Sequence, residues 1–365
     1  MIGAYSIVQA LPEGPLDIVG DIHGEYEALL QLMDVLGYGK DGRGNLNRSL
    51  IFVGDLCDRG PDSPAVIALV ESLISQGLSL IHISEPHETK ANLVCSEMCI
   101  RDSHEINLLT DKAKEGTGWY FPERYDREVP YYGRVKIVRE NEKLKIRSFL
   151  STLPIILERE DLRVVHAYWE KNSVQSMLKY SDVASAYAYY EEKWNKLFTT
   201  FPWYEQYLKD EEIYRIHGSN PDYRMPLLHG RQMFELARNR FNEVNKLVSG
   251  PEYAIQQPYF AGERWRFTAR SRWWRHYKDD RAVVFGHYWR LLGRETALFR
   301  APPLSWLGEK KICFCNDYSI GARWRDRKEG KKTAPSRYHL SALQWPERTL
   351  TIETGEKFST EGFKS

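Results

Sequence analysis

"LDIVGDIHG" (residues 16–24) and "SLIFVGDLCDRG" (residues 49–60) decide how the rest of the chain is read. Each begins with a short apolar run, too brief for a helix and unbroken by polar alternation, which is the pattern of a strand buried on both faces. Each run ends in Gly-Asp, so the buried strand delivers a carboxylate at its C-terminal end. Working outward, "YEALLQLMDVL" (26–36) carries apolar residues at helical spacing and stops at Gly37. "SPAVIALVESLISQG" (63–77) does the same, and Gly77 is read as its end. Strand, helix, strand, helix at these lengths predicts βαβ units, an α/β class and a largely parallel inner sheet. Ligands gather at the C-terminal ends of such strands, where both Gly-Asp pairs fall.

Composition narrows the function classes. The 365 residues suffice for one large or two modest domains, and 42% hydrophobic with 28% charged residues is ordinary for a soluble globular chain. A formal net charge of +1 supplies no global field toward nucleic acid or anionic membrane. Five scattered cysteines make no disulfide framework, which points to a reducing, cytoplasmic setting. The N-terminus has no signal-peptide pattern, and no stretch approaches the ~20 apolar residues that span a bilayer.

Two further apolar runs end in histidine: "LRVVHAYW" (162–169) and "RAVVFGHYW" (281–289). Between them, residues 171–280 are rich in Tyr, Trp, Arg and Lys and mainly helical in pattern, without a clear strand; they are expected to form an insertion that caps or flanks the site. "KICFCNDYSIG" and "YHLSALQWPERTLTI" are expected to be two strands joined by a basic turn and pairing on the sheet. The strand ends thus bring forward Asp21 and His23, then Asp55, Asp58 and Arg59, then His166 and His287. Taken singly, a strand-end histidine reads as a hydrogen-bonded core residue, and an aspartate before a helix as an N-cap. Two Gly-Asp strand ends followed by two strand-end histidines are hard to explain as independent caps. Carboxylate with imidazole suits Mn, Fe or Zn better than Mg or Ca. An Asp-x-His turn lets both side chains reach one ion, and a second aspartate can bridge two.

This order of motifs, GDxHG, GDxxDRG, a shortened GNHE, strand-His and Gly-His, resembles the calcineurin-like metallophosphoesterases, and among them the PPP-type phosphatases. The resemblance covers about half the chain. It implies an α/β (α+β) fold, a β-sandwich flanked by helices, with the catalytic domain at 1–170 and 281–355. It implies two divalent ions, manganese foremost with iron or zinc as alternatives, and a water activated between them that hydrolyses phosphate esters. Asp21, His23 and bridging Asp55 would hold one ion, and His166 and His287 the other. Asp58 would orient His104, the general acid, and Arg59 would grip the phosphate with its planar fork.

The third motif is damaged. Ser103 stands where the family has the metal-ligating Asn, and twenty-three residues, "IHISEPHETKANLVCSEMCIRDS", separate Leu80 from His104. If a strand begins at Gly77 to Leu80, only a few residues should lie there. His82, His87, Cys95 and Cys99 permit a small metal site, though at no zinc-finger spacing; a regulatory loop is a second reading. The third, and the one adopted, is that residues 78–103 are foreign, since they resemble translated sequencing-adapter sequence fused into an assembled gene. The second ion should then be weakly held, with only Asp55, His166 and His287 left; Ser103 offers at best a weak hydroxyl, and Asn92 lies too deep in the segment.

"ERWRFTARSRWWRHY" (263–277) interleaves Arg with aromatics. Stacking on nucleic acid and amphipathic packing both produce that pattern, and the near-zero net charge favours packing. The expected partner is a phosphorylated substrate: a phosphoprotein, a dinucleoside polyphosphate or a small phosphate ester. The rival to an active phosphatase, serine/threonine-type in resemblance, is a catalytically impaired module that binds phosphate or nucleotide.

Overall fold

Asp17 sits inside a strand whose four residues, Leu16–Val19, are all buried, so its carboxylate needs partners. Tyr38 donates to it at 2.8 Å, Arg48 at 2.9 Å and Gln344 at 3.2 Å. That strand is the hub of the fold. The computed structural model describes residues 7–39, 47–81, 98–99, 103–261, 264–330 and 336–364.

In chain order the strands are β1 (Val8–Ala10), β2 (Leu16–Val19), β3 (Ser49–Phe52), β4 (Met98–Cys99), β5 (Ile156–Glu158) and β6 (Leu162–Val165). β7 (Glu252–Ala261) and β8 (Arg264–Arg270) follow, then β9 (Ala282–Phe285), β10 (Cys313–Cys315), β11 (Ser341–Trp345), β12 (Thr349–Ile352) and β13 (Lys357–Ser359). The chain divides into two compact units, one of residues 1–167 with 274–365 and one of residues 168–273.

The first unit is a two-sheet sandwich flanked by helices. One sheet runs β13-β12-β11-β2-β3-β4 and the other β1-β5-β6-β9-β10. β2 pairs β3 in parallel, with Ile18 opposite Ile51, and β6 pairs β9 in parallel, with Val164 opposite Val284. Four parallel strands therefore end at the same side of the two sheets. Asn316, which follows β10, ties the sheets together: its amide donates to the Ile18 carbonyl at 2.6 Å and its side-chain oxygen accepts from Ser341 at 2.8 Å. Helices α1 (Tyr26–Val35), α2 (Ser63–Ile81) and, beyond α3 (Ser103–Leu109) and α4 (Pro122–Tyr132), α5 (Glu140–Thr152) bury Leu29, Leu32, Val66, Val70, Phe149 and Leu150 in one core with Val19, Leu50 and Phe52. At ~1.5–3 kcal/mol per fully buried large apolar side chain, this core is the main stabilising element of the unit.

Two details depart from the sequence reading of this unit. α2 does not end at Gly77 but continues to Ile81; a glycine costs about 1 kcal/mol in a helix interior and does not by itself stop one. The strand expected at Gly77–Leu80 is accordingly absent, and its place beside β3 is taken by β4, with Met98 opposite Ile51 and Cys99 opposite Phe52. The two C-terminal segments also do not pair as strands with each other. β10 lies beside β9 in one sheet, whereas β11 lies beside β2 in the other, and "LQWPERTLTI" turns back on itself as the β11–β12 hairpin.

The second unit contains helices Lys171–Met177, Val183–Leu197, Tyr204–His217, His229–Phe241 and Glu243–Ser249. It also contains a strand pair that the helical pattern did not suggest. β7 and β8 are antiparallel, with Glu252 opposite Arg270 and Tyr259 opposite Arg266 and an irregularity between Ala254 and Tyr259. The irregularity breaks the period-2 signal on which strand recognition depends. Phe267 is buried with Met225 and Leu228, while Arg264 is exposed, so the Arg/Trp stretch does pack its aromatics and turn an arginine outward.

Candidate active site

Five of the seven site residues in the strand-end loops carry left-handed backbone. His23, Asp55, Asp58, Arg59 and His287 all have φ between 48° and 74°. Left-handed backbone is unfavourable for such side chains and persists only where the surroundings over-determine it, which is a recurrent mark of functional sites. The loops after β2 and β3 clasp one another here: Ile22 and His23 donate their N–H groups to the Asp55 carbonyl at 3.0 and 2.6 Å. Gly286 is obligatory for a different reason, because a Cβ there would lie 2.0 Å from Asp21 Oδ1.

Asp55 stands at the centre, 2% exposed. Its Oδ2 lies 3.0 Å from His23 Nε2 and 3.7 Å from His166 Nε2, and its Oδ1 lies 3.8 Å from His104 Nε2. Two sets of ligand atoms fall within 4.8 Å of one another: His23, Asp55 and His104, and Asp55, His166 and His287. Asp55 belongs to both. Asp21 is in neither set; its carboxylate receives the backbone N–H of His287 at 3.0 and 3.2 Å. Burial alone would raise the Asp55 carboxyl, but His23, His104 and His166 beside it outweigh burial and hold it well below the usual carboxylate range.

The ring orientations follow from their partners. His23 Nδ1 faces the Cys57 carbonyl at 3.1 Å and His166 Nδ1 faces the Val53 carbonyl at 2.9 Å. A carbonyl only accepts, so each Nδ1 carries the proton. Arg59 and Asp55 Oδ2 both approach His23 Nε2, at 3.1 and 3.0 Å, so this nitrogen faces the centre of the cluster. Imidazoles that donate their far N–H to backbone carbonyls are also the usual supported form of metal-ligating histidine. The residues present therefore fit a divalent ion.

His104 opens α3, and its Nδ1 makes a close contact with Asp58 Oδ2. Burial would depress its imidazolium, yet Asp55 and Asp58 outweigh burial and raise it. Asp58 is fully buried and takes a second hydrogen bond from the Trp119 indole at 2.5 Å. Arg59 reaches His104 Nε2 at 3.3 Å with its other terminal nitrogen. Glu105, also fully buried, accepts the Leu56 N–H at 2.9 Å and so pins α3 to the loop after β3. All eight residues singled out from the sequence thus lie in one cluster. His82, His87, Cys95 and Asn92, considered for a second metal site or as ligands, lie outside the described residues, as do the side chains of Cys99 and Ser103.

Trp119, Glu105 and Gly321 were not singled out. Glu105 had a signal, its place in the motif fragment. Trp119 had none, being 61 residues from Asp58. Gly321 presses on His23, since a Cβ there would lie 2.2 Å from the ring.

Residues 14–291 match the family model of the calcineurin-like phosphoesterases. The chain belongs to this family. Membership makes it one of the phosphoester hydrolases, which as a class take divalent metals, and the sandwich flanked by helices is that family's fold. Among curated proteins, the chain is 48% identical over 67 residues to the asymmetrical bis(5'-nucleosyl)-tetraphosphatase PrpE of Oceanobacillus iheyensis, 18% of this chain and 27% of that one. It is 48% identical over 64 residues to the corresponding protein of Halalkalibacterium halodurans, 16% of this chain and 26% of that one. The matched stretch spans about a quarter of these relatives. A cold-active protein-tyrosine phosphatase of a Shewanella species aligns over 97% of this chain and 83% of its own, at 14% identity and a TM-score of 0.47. Among the described residues no helix is long and apolar enough to cross a membrane.

Proposed function

We propose that this family member hydrolyses phosphate esters or anhydrides at a two-ion centre, with dinucleoside polyphosphates as the first substrate class to try. The observation that carries the reading is Asp55 shared between two ligand sets, beside a guanidinium and an imidazole held by carboxylate. Asp21, His23 and Asp55 would serve one ion, and Asp55, His166 and His287 the other, with His104 beside the first set as the proton donor; manganese suits this mixed donor set, as do iron and zinc. Bound divalent ions would supply Lewis-acid polarisation and lower the pKa of water. The chain's own residues do the rest. Arg59 orients the phosphate through its N–H groups, and His104, whose imidazolium Asp55 and Asp58 favour against burial, delivers a proton to the leaving oxygen. The polyphosphate choice rests on what the two tetraphosphatase relatives are named for, and phosphoproteins are the alternative class.

A second reading has its own observation: Ser103 replaces the asparagine expected before His104. On that reading residues 78–103 are foreign, the second ion is weakly held, and the chain as it stands binds phosphate more than it turns it over. One experiment separates them. The chain is compared with a version in which 78–103 is replaced by a short strand ending in Gly-Asn, both loaded with manganese. The restored chain should hold two ions by elemental analysis and cleave diadenosine tetraphosphate. This chain should hold one tightly and be slower by at least the ~10–100-fold typical of losing even an outer-shell partner. Two tightly held ions and equal rates in both would defeat the impaired reading. No turnover of any phosphate compound by either would defeat the enzyme reading.

A further inference from the structure

We infer that Trp289, locked in place by Asp317, is the positioning residue for Arg59, the group that grips phosphate in the function proposed above, on which this inference rests. Trp289 follows His287 by two residues in "GHYW". In the structure Trp289 is half-buried and lies with its ring 5.3 Å from the Arg59 guanidinium carbon. Its backbone is left-handed, φ 54°, a conformation that an indole-bearing residue does not hold without restraint. The restraint is Asp317, 1% exposed, whose Oδ2 accepts the Trp289 N–H at 2.7 Å.

Asp317 is itself fixed from both sides. Its Oδ1 accepts the Ser319 N–H at 2.7 Å and its carbonyl accepts the Arg290 N–H at 2.8 Å. Ser319, also left-handed at φ 65°, returns a hydrogen bond from its hydroxyl to the Arg290 carbonyl at 2.6 Å. The two loops are thereby stitched into one rigid piece that presents the indole face.

What the indole faces explains why it is needed. Among the described residues no carboxylate pairs with the Arg59 guanidinium; its contacts are the Nε2 atoms of His23 and His104. Arginine has many rotamers, and a fork aimed at a phosphate must be held by something that takes none of the N–H groups left beyond those on His23 and His104. A carboxylate would occupy those donors. An aromatic face holds the cation without consuming an N–H. Trp289 thus acts on the substrate only through Arg59.

The test uses the full-length manganese-loaded protein and inorganic phosphate as probe, with affinity measured by calorimetry and, separately, kcat and KM for p-nitrophenyl phosphate. Trp289→Leu should weaken phosphate binding about 5–10-fold and raise KM alike, with kcat changed less than about twofold. Trp289→Phe should recover most of the loss. In an Arg59→Ala background Trp289→Leu should have no further effect. Asp317→Asn, which keeps only one acceptor for two N–H groups, should fall between parent and Trp289→Leu. Equal phosphate affinity in parent and Trp289→Leu, or effects of Trp289→Leu and Arg59→Ala that multiply independently, overturns the assignment. If Trp289→Leu does not fold, the Phe variant and the Asp317→Asn series still decide it, since unchanged affinity in Asp317→Asn refutes the restraint. Absence of phosphate binding by the parent itself overturns the underlying functional reading instead, and this inference falls with it.

Discussion

The loops after β2 and β3 and the start of α3 face the same cluster but are built on different terms. The first two leave adjacent parallel strands of four residues each, exchange backbone hydrogen bonds, and carry intact motifs. The third follows a strand of which two residues pair with β3, and its motif has lost Gly-Asn. Even so, His104 arrives beside Asp58 and Asp55. The reason is that its placement depends on residues that survive: Glu105 bonded to Leu56 N–H, and Asp58 bonded to the ring and to Trp119. The contacts that position His104 are thus independent of the Gly-Asn that is missing before it.

The largest effect should come from the clasped side. In the chain restored to Gly-Asn-His-Glu, Asp55→Asn removes the carboxylate common to both ligand sets. Turnover of an aryl phosphate should fall at least ~10³-fold, about 4 kcal/mol of transition-state stabilisation. A variant that kept a tenth of the parent rate would break the comparison, because the shared carboxylate would then not be central. His104→Asn tests the other side. With a poor leaving group kcat should fall by ~10²–10⁴, the usual worth of a general acid, while p-nitrophenyl phosphate should suffer far less. Equal losses with both substrates would show that the ring binds or positions and does not protonate.

The two sides also differ in how legible they were. Asp21, His23, Asp55, His166 and His287 could be found because a strand buried on both faces writes itself as a short, mainly apolar run, interrupted here only by Asp17 and Arg163, and the residues after it lie at a sheet end. Pairing between distant segments leaves no such local trace. Nothing in "KICFCNDYSIG" says that it joins β9 and that "SALQW" joins β2, since both are short buried runs. Trp119, Trp289 and Asp317 act through indole N–H, ring face and carboxylate, across 61 residues of chain in the first case, and no periodicity connects them to the site. β7–β8 is hidden because its irregular register interrupts the alternation, and the extension of α2 because Gly77 has the form of a stop signal.

Glu105→Ala asks how much of the positioning of His104 resides in one carboxylate. The substitution leaves the buried Leu56 N–H without its acceptor, which typically destabilises by ~1–3 kcal/mol. Urea unfolding should show that loss. Glu105→Gln, which keeps an acceptor oxygen, should recover most of it. Because Glu105 fixes α3 and not the loops after β2 and β3, the rate loss should concentrate on poor leaving groups, in parallel with His104→Asn. A loss that was uniform across leaving groups would mean that α3 and the clasped loops move as one body, and the contrast between them would have to be withdrawn.

The smallest effect belongs to Glu353, which follows β12. Its buried carboxylate is held by Arg323, by His339 Nδ1 at 3.3 Å and by the Leu340 N–H at 3.0 Å. Burial by itself would raise this carboxyl, but His339, Arg323 and the residue's own backbone N–H outweigh it, and the folded-state pKa lies below the ordinary value. The sign is that of a depressed acid: the stabilisation is fully present above the unfolded pKa, about 4.3, and is lost as pH falls through the lower folded value. Glu353→Gln should therefore reduce unfolding free energy by ~2 kcal/mol near neutral pH, with a deficit that is flat down to about pH 5 and shrinks below about pH 4. Arg323 directly follows the Ile320–Ala322 turn whose Gly321 backs His23, so the site side of this cluster is the clasped one. Any accompanying rate loss should then be the same for good and poor leaving groups, unlike that of Glu105→Ala, because it would reach the chemistry through His23 and not through the proton donor.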